Sequence, residues 1–407
     1  MVFRELSIDE FIEFSRNYKE STLYQTYNYA LFMNNEGYKY YILGLVDYSS
    51  IKAATLVFTK SNSLKYGYIP DGFLIDYNDY ALVSFFTKEL KKFLSKKDMV
   101  AVKFNPKVLK NIYNSKYQLS SSVNDYEQLI NVFKQNNCNH LGFNKYFESL
   151  LPRYEAIVSL TNDKYNDFFK MSKQFRTKAR SAETRGVRIY KGSLDDLEEI
   201  YNSLNIKKHS ISWYKNIIES FKDDAILFYA KLDTSAYLKL CQSNYLSQEK
   251  LNNAINDKVF SNKGKSHEKL LDKKMYADVK LGDYHQFLDE AIKLHSNSKD
   301  GIFLGLCIAV LHNDSVNIID LSYNKEFTRF NGSHLLLWKI LEKYSESNYK
   351  VLNLGGLTIN EKDNKYSGLN KFKLGFGSSV YEYIGDFELV CNYPKYLLYR
   401  NGLSLFK

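Results

Sequence analysis

Up to about residue 150 the spacing of hydrophobic and polar positions alternates between a helical and a strand period. Ile8 to Ser15 reads as a short amphipathic helix. A second helix begins near Thr26 and closes at Gly37, a C-cap residue. Tyr40 to Val46 and Ala53 to Phe58 are strand-like. Tyr66 to Ile69 runs into a turn at Pro70-Asp71-Gly72. Ala81 to Leu94 returns to the helical period, and Met99 to Phe104 reads as a buried strand closed by Asn105-Pro106. Such alternation predicts an α/β or α+β unit.

The pattern recurs further on. Tyr154 to Leu160 is a strand, Asp163 to Arg185 a basic helix ending at Gly186, and Val187 to Tyr190 a strand. Leu194 to Ile206 and Trp213 to Phe221 are helices, and Ala225 to Ala230 is a strand. Phe303 to His312 and Val316 to Leu321 read as a strand hairpin, followed by a helix over Ser333 to Tyr344. Val351 to Leu354 leads into Gly355-Gly356. Tyr381 to Ile384 and Phe387 to Val390 complete the sheet. Two halves of similar make-up suggest a duplicated fold without a residue-level repeat.

Between them, from Asp233 to Ser298, strand signals vanish. Leu238, Cys241, Tyr245, Leu246, Leu251, Ala254 and Ile255 sit at three- and four-residue spacings, and Leu270, Leu271, Met275, Val279, Leu281, Tyr284, Phe287, Leu288, Ile292 and Leu294 continue with helical spacing. A polar break around Gly264 separates the two runs, and Gly282 is a weak point in the second. The spacing predicts an antiparallel helical hairpin, a coiled-coil arm inserted between two strands.

Composition narrows the function classes. The 407 residues exceed one compact core. The formal charge of +10 suits a polyanionic partner such as tRNA, pyrophosphate or anionic lipid, or equally a solubilising surface. The start MVFRELSIDEFIEF carries acids and no apolar core, so no signal peptide is expected. No run of about 18 apolar residues exists to span a bilayer. Cys138, Cys241, Cys307 and Cys391 are far apart, and the histidines lack ligand spacing. A reduced, cytoplasmic, metal-free protein is expected.

Several short stretches follow one another along nearly the whole chain: Gln25-Thr26-Tyr27 with Tyr29; Tyr68-Ile69-Pro70-Asp71-Gly72 with Asp76-Tyr77; Arg176 to Gly186-Val187; Phe327 to Gly332 with Leu335, Leu336 and Trp338; Tyr366 to Gly377, reading YSGLNKFKLGFG; and Tyr383-Ile384-Gly385-Asp386-Phe387. In order and spacing they resemble the FemABX aminoacyltransferases. The resemblance implies two GNAT-like domains: residues 1–152, and residues 153–232 with 299–407, the arm occupying 233–298. It implies transfer of an amino acid from aminoacyl-tRNA, the co-substrate, to an amine on the stem peptide of a peptidoglycan precursor, either lipid II or UDP-MurNAc-pentapeptide. No other cofactor is implied. Contact with the inner membrane face and pairing with itself or a family member are further expectations.

The same resemblance assigns site residues. Lys373 matches the family's Phe-Lys lysine, which stabilises the developing oxyanion or the leaving ribose oxygen. Phe372 shapes that loop, Lys371 is the alternative cation, and Gly375 and Gly377 let the backbone approach a ligand. Lys173, Arg176, Lys178, Arg180 and Arg185 form a candidate phosphate or tRNA surface, the alternative being a solvated charged face. Tyr214 is a candidate precursor contact. The family's Asp-Pro reads Asn105-Pro106 here, and Asn cannot serve as a base; Asn105 is expected to bind substrate, and Asp76 is the nearest other carboxylate. Asp71 replaces a cation, and Ser210 stands where an arginine for the nucleotide diphosphate is expected. These departures favour a lipid-linked acceptor and keep two alternatives open: a transferase for another amine, or a non-catalytic relative that binds tRNA or precursor.

Overall fold

The computed structural model describes residues 1–400 except 49, 61–64, 124, 262–266 and 360–364. The chain starts with β1 (Val2–Glu5), α1 (Ile8–Asn17), α2 (Tyr27–Asn35), β2 (Lys39–Asp47), β3 (Ser50–Thr59), β4 (Lys65–Ile69), α3 (Tyr80–Lys96) and β5 (Met99–Phe104). A hairpin of β6 (Leu109–Tyr113) and β7 (Leu119–Ser122) follows, then α4 (Tyr126–Gln135) and β8 (Cys138–His140). Next come β9 (Tyr154–Ser159), α5 (Lys164–Lys170), α6 (Lys173–Thr184), β10 (Val187–Gly192), α7 (Leu194–Ser203), α8 (Ile211–Phe221) and β11 (Ala225–Leu232). Helices α9 (Thr234–Ser261) and α10 (His267–Asn297) form the arm. The chain then runs β12 (Ile302–His312), β13 (Ser315–Tyr323), α11 (Gly332–Ser345), β14 (Val351–Leu357), α12 (Ser367–Leu374), β15 (Ser379–Tyr383), β16 (Phe387–Val390) and α13 (Tyr393–Arg400).

Local chemistry explains many boundaries. Ser7 and Glu10 make a capping box at α1, and Thr26 caps α2 through the amide of Tyr29. Asp163 caps α5, and Ser172 caps α6. These last two caps correct the single helix expected over Asp163 to Arg185. Met171 is extended between the two helices, and Arg176 donates to the carbonyls of Phe169 and Met171, satisfying the end of α5.

The strands form two sheets, in the orders β1-β2-β3-β4-β5-β16-β8 and β10-β11-β12-β13-β14-β9-β15-β6-β7. Each sheet has antiparallel neighbours apart from one parallel pair, β4 with β5 and β13 with β14. That shared plan is the duplication that the sequence suggested.

The sheets also exchange strands. The hairpin β6–β7 pairs with β15 in the second sheet, whereas β16, expected to finish that sheet, inserts between β5 and β8 of the first. A split at residue 152 therefore does not describe the sheets. The crossing is made at Gly385, at φ +95°, where a Cβ would stand 2.9 Å from the carbonyl of Gly142. Buried Arg153 braces it, donating to the carbonyl of Tyr383 at 3.0 Å and to the carboxylate of Glu382.

The arm is a helical hairpin, as predicted, with a different seam. Leu246, Leu251, Met275, Val279, Phe287 and Ile292 remain exposed. Two helices alone present too narrow a seam to cover a wide apolar stripe. Of the predicted stripe, Cys241 is buried and Leu238 and Leu288 pack on the core; beside them Tyr237, Ala277 and Ala291 are buried, with Gln248 donating to Asn252 at 2.9 Å and Asn252 to Asp278 at 2.8 Å. Helix α10 continues through Gly282, whose surroundings are open. The break at Gly264 lies outside the described residues.

The strand exchange has a measurable consequence. Phe387 is fully buried and packs on Phe104 and Phe133 at centroid distances of 5.3 and 4.7 Å. Phe387→Ala should destabilise the protein by about 3–5 kcal/mol in a denaturant titration. A loss below about 1 kcal/mol would contradict this placement of β16.

Candidate active site

Strands β13 and β14 are paired only along Ser315–Asn317 and Val351–Asn353, and then diverge. At the same point the pairing of β14 with β9 shifts register between Asn353 and Gly356, and Gly355 takes φ +78°. The divergence opens a cavity of about 910 Å³ lined by the ends of both strands, the start of α11, one face of α12 and the segment 147–152.

Lys373 reaches this cavity from α12, where the sequence suggested a loop. Its Nζ donates to the carbonyl of Gly356 at 2.7 Å. Burial pushes its pKa down to about 8; nearby Lys208 adds to the effect and Glu155 opposes it. Phe372 also lines the cavity, its ring against Phe175, His334 and Phe376 at 5.7, 5.1 and 5.5 Å. Lys371, two residues earlier, is exposed and is not part of the lining.

The glycines after Lys373 serve packing rather than an open approach. A Cβ on Gly375 would collide with the ring of Phe175, and one on Gly377, at φ +77°, would stand 2.7 Å from the carbonyl of Lys170. The amide of Ser172 donates to the carbonyl of Gly375 at 2.9 Å, which ties the start of α6 to the end of α12. The glycines that the cavity does contact are Gly355 and Gly356, with Gly332 and Gly368 at the helix starts.

Three buried acids surround the site. Asp320 on β13 accepts from Lys208 at 2.6 Å, from the hydroxyl of Tyr214 at 2.7 Å and from Ser322 at 2.8 Å. Tyr214 is itself fully buried, so it reaches the cavity only through Asp320. Glu155 on β9 accepts from Lys107 at 2.7 Å and from the hydroxyl of Tyr383 at 2.8 Å. Lys107 also lies 3.8 Å from Asp71, so one ammonium serves two carboxylates. Burial raises the pKa of Asp71 to about 6 against the pull of Lys107.

Asn105 faces this network and not the cavity. Tyr68 donates to its carbonyl oxygen at 3.0 Å, and its amide approaches Asp71 at 3.4 Å. Gln25 donates to the carbonyl of Pro70 at 2.7 Å, bringing the first two motif segments together. Asp76 is exposed, accepts from the amide of Asn78 and stands apart from the cavity. Of the basic group, Arg176 is spent on α5, and Arg185 donates to the carbonyl of Arg329 at 2.9 Å. Lys173 and Arg180 are exposed, and the Arg180 guanidinium lies over Phe168.

Glu155, Lys208, Lys107 and Asp320 were not singled out from the sequence. For two of them a signal existed: a lone acid interrupts each apolar strand, Glu155 in Tyr154–Ser159 and Asp320 in Ser315–Tyr323. Among the described residues, no group of His, Cys, Asp and Glu is arranged to hold a metal ion. No described helix is long and apolar enough to cross a membrane.

Comparisons with known proteins place the fold and the family. The chain is 24% identical to the aminoacyltransferase FemA of Staphylococcus epidermidis over the full length of both. It is 26% identical to FemB of the same species over 98% of this chain and 97% of that one. The fold matches the crystal structure of FemX with a TM-score of 0.74 at 19% identity, covering 98% and 99% of the two chains. It also matches a tandem GNAT protein from the clavulanic acid pathway with a TM-score of 0.50 at 9% identity, covering 96% and 98%. The architecture is thus a pair of GNAT-like domains. Since the profile of the FemAB family matches residues 6–401, this chain is a member of that family.

Proposed function

We propose that this chain is an aminoacyltransferase that moves an amino acid from aminoacyl-tRNA to an amine on the stem peptide of a peptidoglycan precursor. The observation that carries the reading is Lys373, an ammonium held by a neutral carbonyl on the wall of a cavity large enough for an aminoacylated nucleoside. The activated donor ester asks little of the protein beyond positioning and charge stabilisation. As the amine attacks, negative charge grows on the ester carbonyl oxygen, and a preorganised ammonium out of bulk water stabilises it strongly. The apolar wall around Phe372 keeps competing water from the ester.

Lys173 and Arg180, exposed on α6, are cations suited to the tRNA backbone. A lipid-linked precursor is the acceptor to try first, with peripheral contact at the inner membrane face. An acceptor of different chemistry is the second reading. It is favoured by Asp71, a buried acid at the motif position where a cation is expected.

The test is transfer from charged tRNA to a lipid-linked muropeptide by the purified chain, with UDP-linked and peptide amines in parallel. Lys373→Met should lower turnover by about 10²–10³-fold and leave tRNA affinity nearly unchanged; full turnover would remove Lys373 from the mechanism. Because Lys373 loses its proton as pH rises through about 8, wild-type turnover should decline over that range.

A second test concerns α6. Lys173→Glu with Arg180→Glu should weaken tRNA binding and make its salt dependence shallower, by about one unit of slope for each phosphate that the variant leaves unneutralised. An unchanged salt slope would place the tRNA elsewhere.

A further inference from the structure

Glu155 is buried, lines the same cavity as Lys373, and treats its two oxygens unequally. Oε2 accepts from Nζ of Lys107 at 2.7 Å, from the hydroxyl of Tyr383 at 2.8 Å and from Nδ2 of Asn353 at 3.3 Å. No hydrogen bond among the described residues ends on Oε1, and Oε1 is not sealed from solvent. Three donors on one oxygen fix the carboxylate and leave the other oxygen as a vacant acceptor on the cavity wall. The position is close to Lys373. Asn353, which donates to Glu155, also accepts the amide of Gly355 at 2.7 Å, and a Cβ on Gly355 would stand 3.5 Å from the ammonium of Lys373.

We propose that Glu155, through Oε1, takes a proton from the acceptor's ammonium, so that a free amine attacks the ester whose carbonyl oxygen faces Lys373. This assignment rests on the aminoacyl-transfer reading above. The ammonium gives one proton to Glu155, which later releases it to solvent. The C–N bond forms, and the bond from the carbonyl carbon to the ribose oxygen breaks. The second proton leaves nitrogen for that ribose oxygen, and Lys373 holds the intermediate charge without net proton transfer.

The groups facing Glu155 suit the role. Lys107 is an ammonium whose charge burial opposes and whose two carboxylates, Asp71 and Glu155, more than restore. Tyr383 is held neutral by burial. Lys373 lines the same cavity. Glu155 also supplies the carboxylate that Asn105 cannot, from a different strand.

The test compares two acceptors at neutral pH: the muropeptide amine, which arrives protonated, and an aminooxy analogue, which arrives as the free base. Glu155→Gln should slow single-turnover transfer to the amine by about 10²–10⁴-fold, and transfer to the aminooxy acceptor by less than about tenfold. Should that variant not fold, Glu155→Asp replaces it in the same comparison, since withdrawing the oxygen gives the same selective loss. Equal slowing of both acceptors, or of neither, overturns the assignment while the wild type still transfers. A wild type that transfers to no amine from any charged tRNA overturns both the assignment and the functional reading beneath it.

Discussion

The site depends on a short parallel pairing. Strand β14 follows β13 for three residues and then parts from it, while its other edge stays paired with β9 through a shift of register. Full pairing would close the cavity and place the carbonyl of Gly356 inside a ladder. Because the strands part, that carbonyl is available to Lys373, and backbone groups that would be costly to bury unpaired face a space that a ligand can fill. The left-handed backbone at Gly355 allows the departure, and the absence of a side chain at Gly356 lets Pro152 and Phe147 pack against it. The cavity is therefore a product of backbone topology, with side chains added to its walls.

The strand exchange joins this cavity to the first sheet. Strand β15 ends at Tyr383, whose hydroxyl reaches Glu155, and the chain then crosses at Gly385 into the first sheet. Lys107, just past the end of β5, reaches back to the same carboxylate. Glu155 is thus held by residues on both sides of the crossing. Movement of one sheet against the other would break charge-assisted hydrogen bonds that are protected from water, which is costly. That coupling gives a physical reason for interleaved strands in a protein whose two halves share one plan.

Much of the fold was legible because the local period was strong. The strand Met99 to Phe104 and the helices at Ile8 and Ala81 follow from apolar spacing alone. The hairpin β6–β7 was not legible: its residues are half-buried or exposed, show no alternation, and become strands by pairing with β15 far along the chain. The destination of β16 was hidden for the same reason, since a local pattern identifies a strand and not its sheet. The break between α5 and α6 has one local mark, the cap residue Ser172, and the period overrides it because Met171 continues the apolar phase while its backbone leaves the helix. At the site, motif order located Lys373 and Phe372. Lys208 carried no signal, because its place is set by Asp320, 112 residues away.

Charge pairing distinguishes the cations near the cavity. Lys208 is bound to Asp320, and Lys107 is shared between Asp71 and Glu155. Both ammonium charges are largely spent on buried carboxylates before any ligand arrives. Lys371 and the α6 residues Lys173 and Arg180 are exposed, where water screens them. Among the described residues lining the cavity, Lys373 is the cation whose direct partner is a neutral carbonyl. Its lowered pKa is the energetic counterpart of that arrangement: the protein holds a charge it has not neutralised. In the proposed transfer, an anion developing within reach of Nζ would relieve that cost, whereas the neutral ground-state ester would relieve it much less. The stabilisation would then be greatest where charge appears during reaction, which is the condition for binding energy to accelerate a step rather than only to hold a substrate.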